Sequence, residues 1–311
     1  MTSKTNSGTI ASVVFFGTGD VSLKTLEGIH PTIAVEAIIT KPDLVTSSGH
    51  RLQPAVKTWA TKHTIPCHQP ANKAELIELF LSTQFSSRLG LVVDYGLIIP
   101  AGVINGFELG ILNSHFSLLP KWRGADPITW SILAGDKTTG VTIMQLEAGM
   151  DTGDILAVEE YDLTAKETTE SLTTKLITIS NKLLLVTLPE YLAGTLTPQP
   201  QDNTRATFSK KITKQDGELK PEEYSATELE RQIRAYLGWP GSYIERKGIR
   251  LTIKQAIVDQ ESLPIKALTV HNDKLLLGCK EGSLDILSIQ PAGKKPMDAK
   301  GFINGYARLL N

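Results

Sequence analysis

The chain has 311 residues, 41% hydrophobic and 21% charged, a balance that excludes wholesale disorder and a length that suggests about two domains. No basic, apolar and small-residue leader pattern opens it, and every apolar run is far shorter than the roughly 18 residues of a membrane span, so an unexported cytoplasmic protein is expected. The net charge of −1 hides an asymmetry, for residues 1–204 carry 14 Lys+Arg against 20 Asp+Glu, and residues 205–311 carry 18 against 13. Such an imbalance suits a C-terminal part that meets a polyanion, and equally a well-solvated domain.

In chain order, Ala11 to Phe16 is a short apolar, β-branched and aromatic run closed by Gly17-Thr18-Gly19-Asp20, after which Leu23 and Leu26 fall at helical spacing. Strand, tight turn and helix follow from that pattern. Ala34 to Thr40 and Leu89 to Val93 read as further strands, with a helix from about Lys73 to Phe85 capped by Asn72 and Glu75. Gly110 to His115 is another strand, and a helix near Pro127 to Leu133 has Asp126 as N-cap, Pro127 at its first position and Gly135 at its stop. A strand-like run at Val141 to Leu146, another near Ile155 and a long helix over about Ser171 to Leu192 complete this part. Alternating buried strands and helices predict an α/β fold with a mostly parallel, doubly wound sheet.

Prolines and small polar residues from Gly194 to Thr204 then break the periodicity, as an interdomain linker does. The expected division is residues 1–194, a linker at 195–212 and a smaller domain at 213–311. In the last, Ser225 and Glu228 form a capping box opening a helix to about Leu237. Arg250 to Ile257, Ala267 to Val270, Lys274 to Cys279 and Ser283 to Ile289 alternate like strands of a small barrel or sandwich.

Ligands of open α/β sheets bind beyond the carboxyl ends of the strands. Gly110-Ile-Leu-Asn-Ser-His115 is such an end, and the period of two puts Asn113 and His115 on one side. An amide and an imidazole together can hold and polarise a carbonyl oxygen, although an ordinary strand-end histidine bonded to backbone fits the same residues. Ser117 to Pro127 is an irregular basic and aromatic loop where such enzymes keep substrate contacts. Asp151-Thr-Gly-Asp154 offers a carboxylate that can act as general base or orient the ring; a plain surface turn fits it as well. Gly17-x-Gly19 lacks the third glycine and the acidic strand end of a dinucleotide site. Cys67 and Cys279 are too few for a disulfide framework, and Cys67 beside His63 and His68 lacks a second ligand pair, so no metal is expected.

Asn113-x-His115-x-Ser117-Leu-Leu-Pro120, then Trp122-Arg123-Gly124-Ala125 and Asp151-Thr-Gly-Asp154, resembles the formyltransferases that use 10-formyltetrahydrofolate. Phe16-Gly-Thr18, Lys41-Pro-Asp43, Tyr95-Gly-Leu97 and Gly140 to Gln145 extend the resemblance forward. Leu229-Glu-Arg231, Ile233-Arg234-Ala235, Trp239-Pro240 and Ser288 to Lys295 extend it backward, in the form of the branch that formylates methionyl-tRNA. The smaller glycinamide-ribonucleotide formyltransferases share the first set and lack the second domain.

The resemblance implies that Asn113, His115 and Asp151 are catalytic and that Ser117, Leu118, Leu119 and Pro120 bind the folate. It implies a Rossmann-like first domain, a C-terminal β-barrel resembling an OB-fold, methionine-charged initiator tRNA as partner, 10-formyltetrahydrofolate as co-substrate, no metal, and a monomer. The chain departs from the family's pattern at Phe116, where glycine is usual, at Gly19 for proline, at Asp94, and at Leu44 for arginine. With the loop Leu44 to Arg51 less basic than in the family, Arg51 and Lys57 are left to grip the acceptor end.

Overall fold

The computed structural model describes residues 12–46 and 49–310; Ala11 of the expected first strand and Ser47 and Ser48 of the Leu44 to Arg51 loop lie outside them. The chain divides into two compact units. One comprises Met1–Arg123, Gly140–Tyr161 and Thr174–Phe208; the other comprises Gly124–Thr139, Asp162–Thr173 and Ser209–Asn311.

The first strand, β1 (Ser12–Phe16), is apolar at consecutive positions because both its faces are covered: Val13, Val14, Phe15 and Phe16 are wholly buried. It leads through Gly17 into α1 (Asp20–Ile29) and then β2 (Ala34–Ile39), α2 (Ala55–Lys62), β3 (Cys67–His68), α3 (Lys73–Ser82) and β4 (Gly90–Val92). After β5 (Ile111–His115) come α4 (Pro127–Ala134), β6 (Thr138–Gln145), β7 (Ile155–Asp162) and α5 (Thr169–Leu192). The sheet is seven-stranded in the order β7-β6-β5-β4-β1-β2-β3. From β3 to β5 the pairings are parallel, and β6 joins β5 antiparallel. The chain leaves β1 toward β2 and returns on its other side at β4, so a crevice opens at the carboxyl ends of these two strands. Hydrogen bonds close the floor there: Thr18 Oγ1 donates to the Tyr95 carbonyl at 2.9 Å, and Ser22 Oγ to that of Val93 at 2.6 Å.

The cap of α3 forms as the spacing predicts, with Asn72 Oδ1 accepting from the amides of Ala74 and Glu75. The cap expected for α4 does not. Asp126 lies in left-handed backbone, φ 56°, and makes no side-chain cap bond; its carboxylate accepts instead from the amide of Ile212 at 2.9 Å. A tertiary donor has taken the oxygen that the local pattern assigned to the helix. Pro127 at the start and Gly135 in left-handed backbone at the stop agree with the sequence pattern.

In the second unit, Ser225 and Glu228 complete a reciprocal capping box at the start of α6 (Ala226–Ala235). Its strands are β8 (Ser242–Arg246), β9 (Ile249–Asp259), β10 (Leu268–His271), β11 (Lys274–Gly278), β12 (Ser283–Pro291) and β13 (Met297–Asp298), before α7 (Ala299–Tyr306). They form an antiparallel half-barrel sheet in the order β8-β9-β12-β11-β10, with β13 on β12. Leu229 and Ile233 of α6 and Phe302 of α7 share its core with Leu251, Ile253, Leu277, Leu284 and Ile286. Sequence pattern does not mark β8 or α7. In β8 the inward positions are Ser242 and Ile244, which weakens the alternation, and α7 contains Gly301 and Gly305 and buries only Phe302.

Gly140 in β6 is one position in the first unit with no room for a side chain. A Cβ there would stand 2.1 Å from the carbonyl oxygen of Glu159 and 2.5 Å from the Leu118 side chain. Gly140→Ala is expected to destabilise the protein by about 1–3 kcal/mol through overpacking, read from the shift of the urea unfolding midpoint; an unchanged midpoint would contradict this packing.

Candidate active site

β5 is hydrogen-bonded on both edges, with Val92 paired to Asn113 on one side, and Met144 to Asn113 and Thr142 to His115 on the other. That register brings Asn113 and His115 side by side at the sheet's carboxyl end. Asp151 joins them from the loop after β6. Its Oδ1 is 3.4 Å from Asn113 Nδ2, and its Oδ2 is 3.8 Å from His115 Nδ1. The imidazole is only 6% exposed and Asp151's side chain 15%, so the cluster is largely withdrawn from water.

The other ring nitrogen sets the tautomer. His115 Nε2 lies 2.9 Å from the carbonyl oxygen of Trp122, and because a carbonyl can only accept, Nε2 carries a proton. A neutral ring then presents Nδ1 as a bare acceptor toward Asp151; a protonated ring presents Nδ1–H. Asn113 adds a fixed amide donor beside it. With the ring protonated, two donors and a carboxylate acceptor converge on one small space, an arrangement that can bind a carbonyl oxygen and receive a proton from a nucleophile.

The loop after β5 is built from beneath. Thr142 Oγ1 donates to the Ser117 carbonyl at 2.7 Å and accepts from the Leu119 amide at 3.1 Å, while Ser117 Oγ donates to the carbonyl of Lys121. Ser117 and Leu119 are buried, which leaves the half-buried Leu118 and Pro120 as the side-chain surface of this stretch. Phe116 is also buried, at 7% exposure, and its backbone does not take a positive φ, so the position has no conformational need for glycine.

The structure adds residues that sequence pattern does not mark. Arg123 is 3% exposed and donates through Nε and Nη2 to the Gln201 amide oxygen at 3.1 and 2.7 Å. Gln201 Nε2 in turn donates to the carbonyls of Asp151 at 2.9 Å and Gly153 at 2.7 Å. Thr207 accepts from the Trp122 amide through Oγ1, donates its amide to the Pro120 carbonyl and accepts from the Arg123 amide through its own carbonyl. Arg123 falls inside the Trp122 to Ala125 motif, but Gln201 and Thr207 lie in a polar, proline-bearing stretch with no period to mark them.

Beyond β2, Lys57 Nζ is 2.8 and 2.9 Å from the two oxygens of Asp43, and Gln69 Nε2 donates to Asp43 Oδ1 and to the Lys41 carbonyl, both at 2.8 Å. Lys57, expected from the sequence to grip an acceptor end, is engaged by this carboxylate. No group of three or more metal-ligating side chains occurs among the described residues, and no described helix is long and apolar enough to cross a membrane.

Residues 12–188 match the family model described as formyl transferase, and residues 211–307 that of the formyl transferase C-terminal domain. The protein is therefore a formyltransferase of the two-module kind. It is 36% identical over 300 residues to the methionyl-tRNA formyltransferase of Pseudoalteromonas translucida, an alignment covering 94% of this chain and 93% of that one. The chain belongs to the methionyl-tRNA formyltransferase family. The fold is shared with an N-formyltransferase from Helicobacter canadensis solved with folinic acid and dTDP-3-aminofucose, at TM-score 0.65, 18% identity, and coverage of 89% and 98%. Phosphoribosylglycinamide formyltransferase from Bacillus halodurans matches at TM-score 0.51 and 26% identity, over 58% of this chain and 95% of its own.

Lys57's ammonium, and next the Gln69 amide, hold the Asp43 carboxyl below its ordinary range. The folded pKa is depressed, so the stabilisation is present above the unfolded value of about 3.9 and is lost as pH falls through the folded one. Carboxyl-carbon NMR of the native protein is expected to place Asp43's midpoint below about 3.9, and Lys57→Met to raise it; an unperturbed native midpoint would refute this network.

Proposed function

We propose that this chain transfers the formyl group of 10-formyltetrahydrofolate to the α-amine of methionine on initiator tRNA, giving N-formylmethionyl-tRNA and tetrahydrofolate. The observation that carries the site assignment is the convergence of Asn113, His115 and Asp151 within 3.4 and 3.8 Å. The amine, with an ordinary pKa of about 7.7–8.0, is neutral in a useful fraction near pH 7 and attacks the formyl carbon. A carbon–nitrogen bond forms and the carbonyl oxygen becomes an oxyanion. Asn113 Nδ2 and a protonated Nδ1 of His115 donate to it, an effect commonly worth about 3–4 kcal/mol per well-placed donor. Asp151 accepts the proton leaving the amine, directly or through water. Collapse of the adduct breaks the bond to the folate nitrogen, which takes up a proton as tetrahydrofolate departs.

The Ser117 to Pro120 loop is the proposed folate-binding wall, offering Leu118 and Pro120 as apolar surface and a backbone pinned by Thr142. The donors and the acceptor of the site match what a formyl donor and an amine require, and none of these steps is routed through a metal. The second unit, holding most of the 18 Lys+Arg of residues 205–311, is the proposed tRNA-holding part. The proposed working form is a monomer in the cytoplasm.

A sugar-nucleotide N-formyltransferase is the second reading, favoured by the likeness in fold to the Helicobacter canadensis enzyme. Transfer of labelled formyl from 10-formyltetrahydrofolate to methionine-charged initiator tRNA, run beside an amino-sugar nucleotide, separates the two. Formyl is expected on the tRNA with the native chain and to fall by about a hundredfold or more with His115→Ala. Label on the sugar alone would overturn the proposal. Asp151→Asn is expected to leave folate binding nearly intact while lowering kcat; normal turnover would remove Asp151 from the mechanism.

Lys210, Lys211, Lys294 and Lys295 are proposed to pair with tRNA phosphates. Replacing all four by Gln is expected to reduce the dependence of log Kd for tRNA on log salt by roughly one for each phosphate no longer neutralised, read by filter binding. An unchanged slope would exclude them.

A further inference from the structure

The segment between α5 and the second unit is joined to both loops that frame the candidate site. Gln199 exchanges backbone hydrogen bonds with Ile155 at 2.7 and 2.8 Å, Gln201 reaches the Asp151 loop, and Thr207 is bonded to Pro120, Trp122 and Arg123. Gln201 is the informative member because its amide has a forced polarity. The Arg123 guanidinium is a pure donor and is buried, so the amide oxygen must face it; the amide nitrogen then has no choice but to face the other way. There its two hydrogens meet the carbonyls of Asp151 and Gly153, one on each side of Thr152.

That loop needs holding. Asp151 sits at φ 51°, a left-handed conformation that aspartate adopts more readily than most residues but still at a cost that outside hydrogen bonds offset. Gly153 packs so closely that a Cβ would lie 1.9 Å from the Gln145 carbonyl oxygen, which puts the loop against the end of β6. Asn203 Oδ1 takes a further Arg123 bond at 2.7 Å, fixing the guanidinium itself.

We propose that Gln201, oriented by Arg123, is a positioning residue that sets how far Asp151's carboxylate reaches toward Asn113 and His115. The proposal deepens the reading of Asp151 as catalytic and rests on it. Gln201 touches neither reacting group; it acts through the backbone of residue 151, where a displacement of about 1 Å can cost as much as a hundredfold in rate.

Gln201→Glu isolates this role. The carboxylate keeps, and strengthens, the bond to Arg123, so the buried cation stays paired, but its second oxygen is set against two carbonyl oxygens and repels the loop. In formyl transfer to charged initiator tRNA, Gln201→Glu is expected to lower kcat by about 10- to 100-fold, with KM for each substrate within about threefold. Circular dichroism is expected to show the native fold, with a thermal midpoint lowered by the two lost hydrogen bonds but above the assay temperature. Combined with Asp151→Asn, it is expected to cost no more than about a further twofold, because the group it positions is gone. Should Gln201→Glu fail to fold by circular dichroism, Gln201→Met, which removes both donors at similar length, takes its place in the same cycle. Native kcat in the Gln201 variant while Asp151→Asn is impaired would overturn the positioning role alone. So would an equal loss in both backgrounds. Native turnover by Asp151→Asn would instead bring down the reading of Asp151, and this proposal with it.

Discussion

Hydrogen bonding along both edges of Ile111–His115 sets the register on which the site depends. A strand paired on one edge can slip by a residue, and a slip of one exchanges its faces. With Val92 against Asn113 on one side, and Met144 and Thr142 against Asn113 and His115 on the other, that freedom is gone. The amide and the imidazole stand at the carboxyl end of the sheet because no other register satisfies both neighbours. The change of direction between the parallel and antiparallel edges matters as well. An antiparallel β6 ends beside the place where β5 began, and the loop that follows it returns Asp151 to the other end through residues 146–151.

The loop that ends this return path is tied to a buried arginine, Arg123, through Gln201. A guanidinium at 3% exposure is costly unless its donors are satisfied, and here an amide oxygen on Gln201 and another on Asn203 supply acceptors without adding negative charge. Thr142 has a comparable part under the Ser117 to Pro120 loop, accepting from one amide and donating to one carbonyl. Both loops of the site are thereby held by side chains from other parts of the chain.

The second unit's β-sheet half obeys simpler rules. Its helix starts at a reciprocal capping box, and its strands alternate over one apolar core, so propensity, pattern and tertiary packing agree. Residues 205–311 carry the positive balance of the chain, 18 Lys+Arg against 13 Asp+Glu. Such agreement is absent from the first unit's loops, where Asp94, Trp122 and Asp151 all lie at positive φ.

What the amino-acid sequence determined by itself was whatever depends on near neighbours. The continuous apolar run of β1, the Asn72 and Ser225 caps, the alternation of β9 to β12 and the same-side placement of Asn113 and His115 all follow from spacing, and all are present. The motif order also carried the family. What only the tertiary structure decided involves partners separated in the chain. Asp126 gave its oxygen to Ile212 rather than to its own helix, Lys57 turned to Asp43, and Gln201 reached back to Asp151 and to Arg123's fork. A hydrogen bond between residues far apart in the chain leaves no periodic trace, because its strength depends on where folding brings two groups together and not on how many residues separate them.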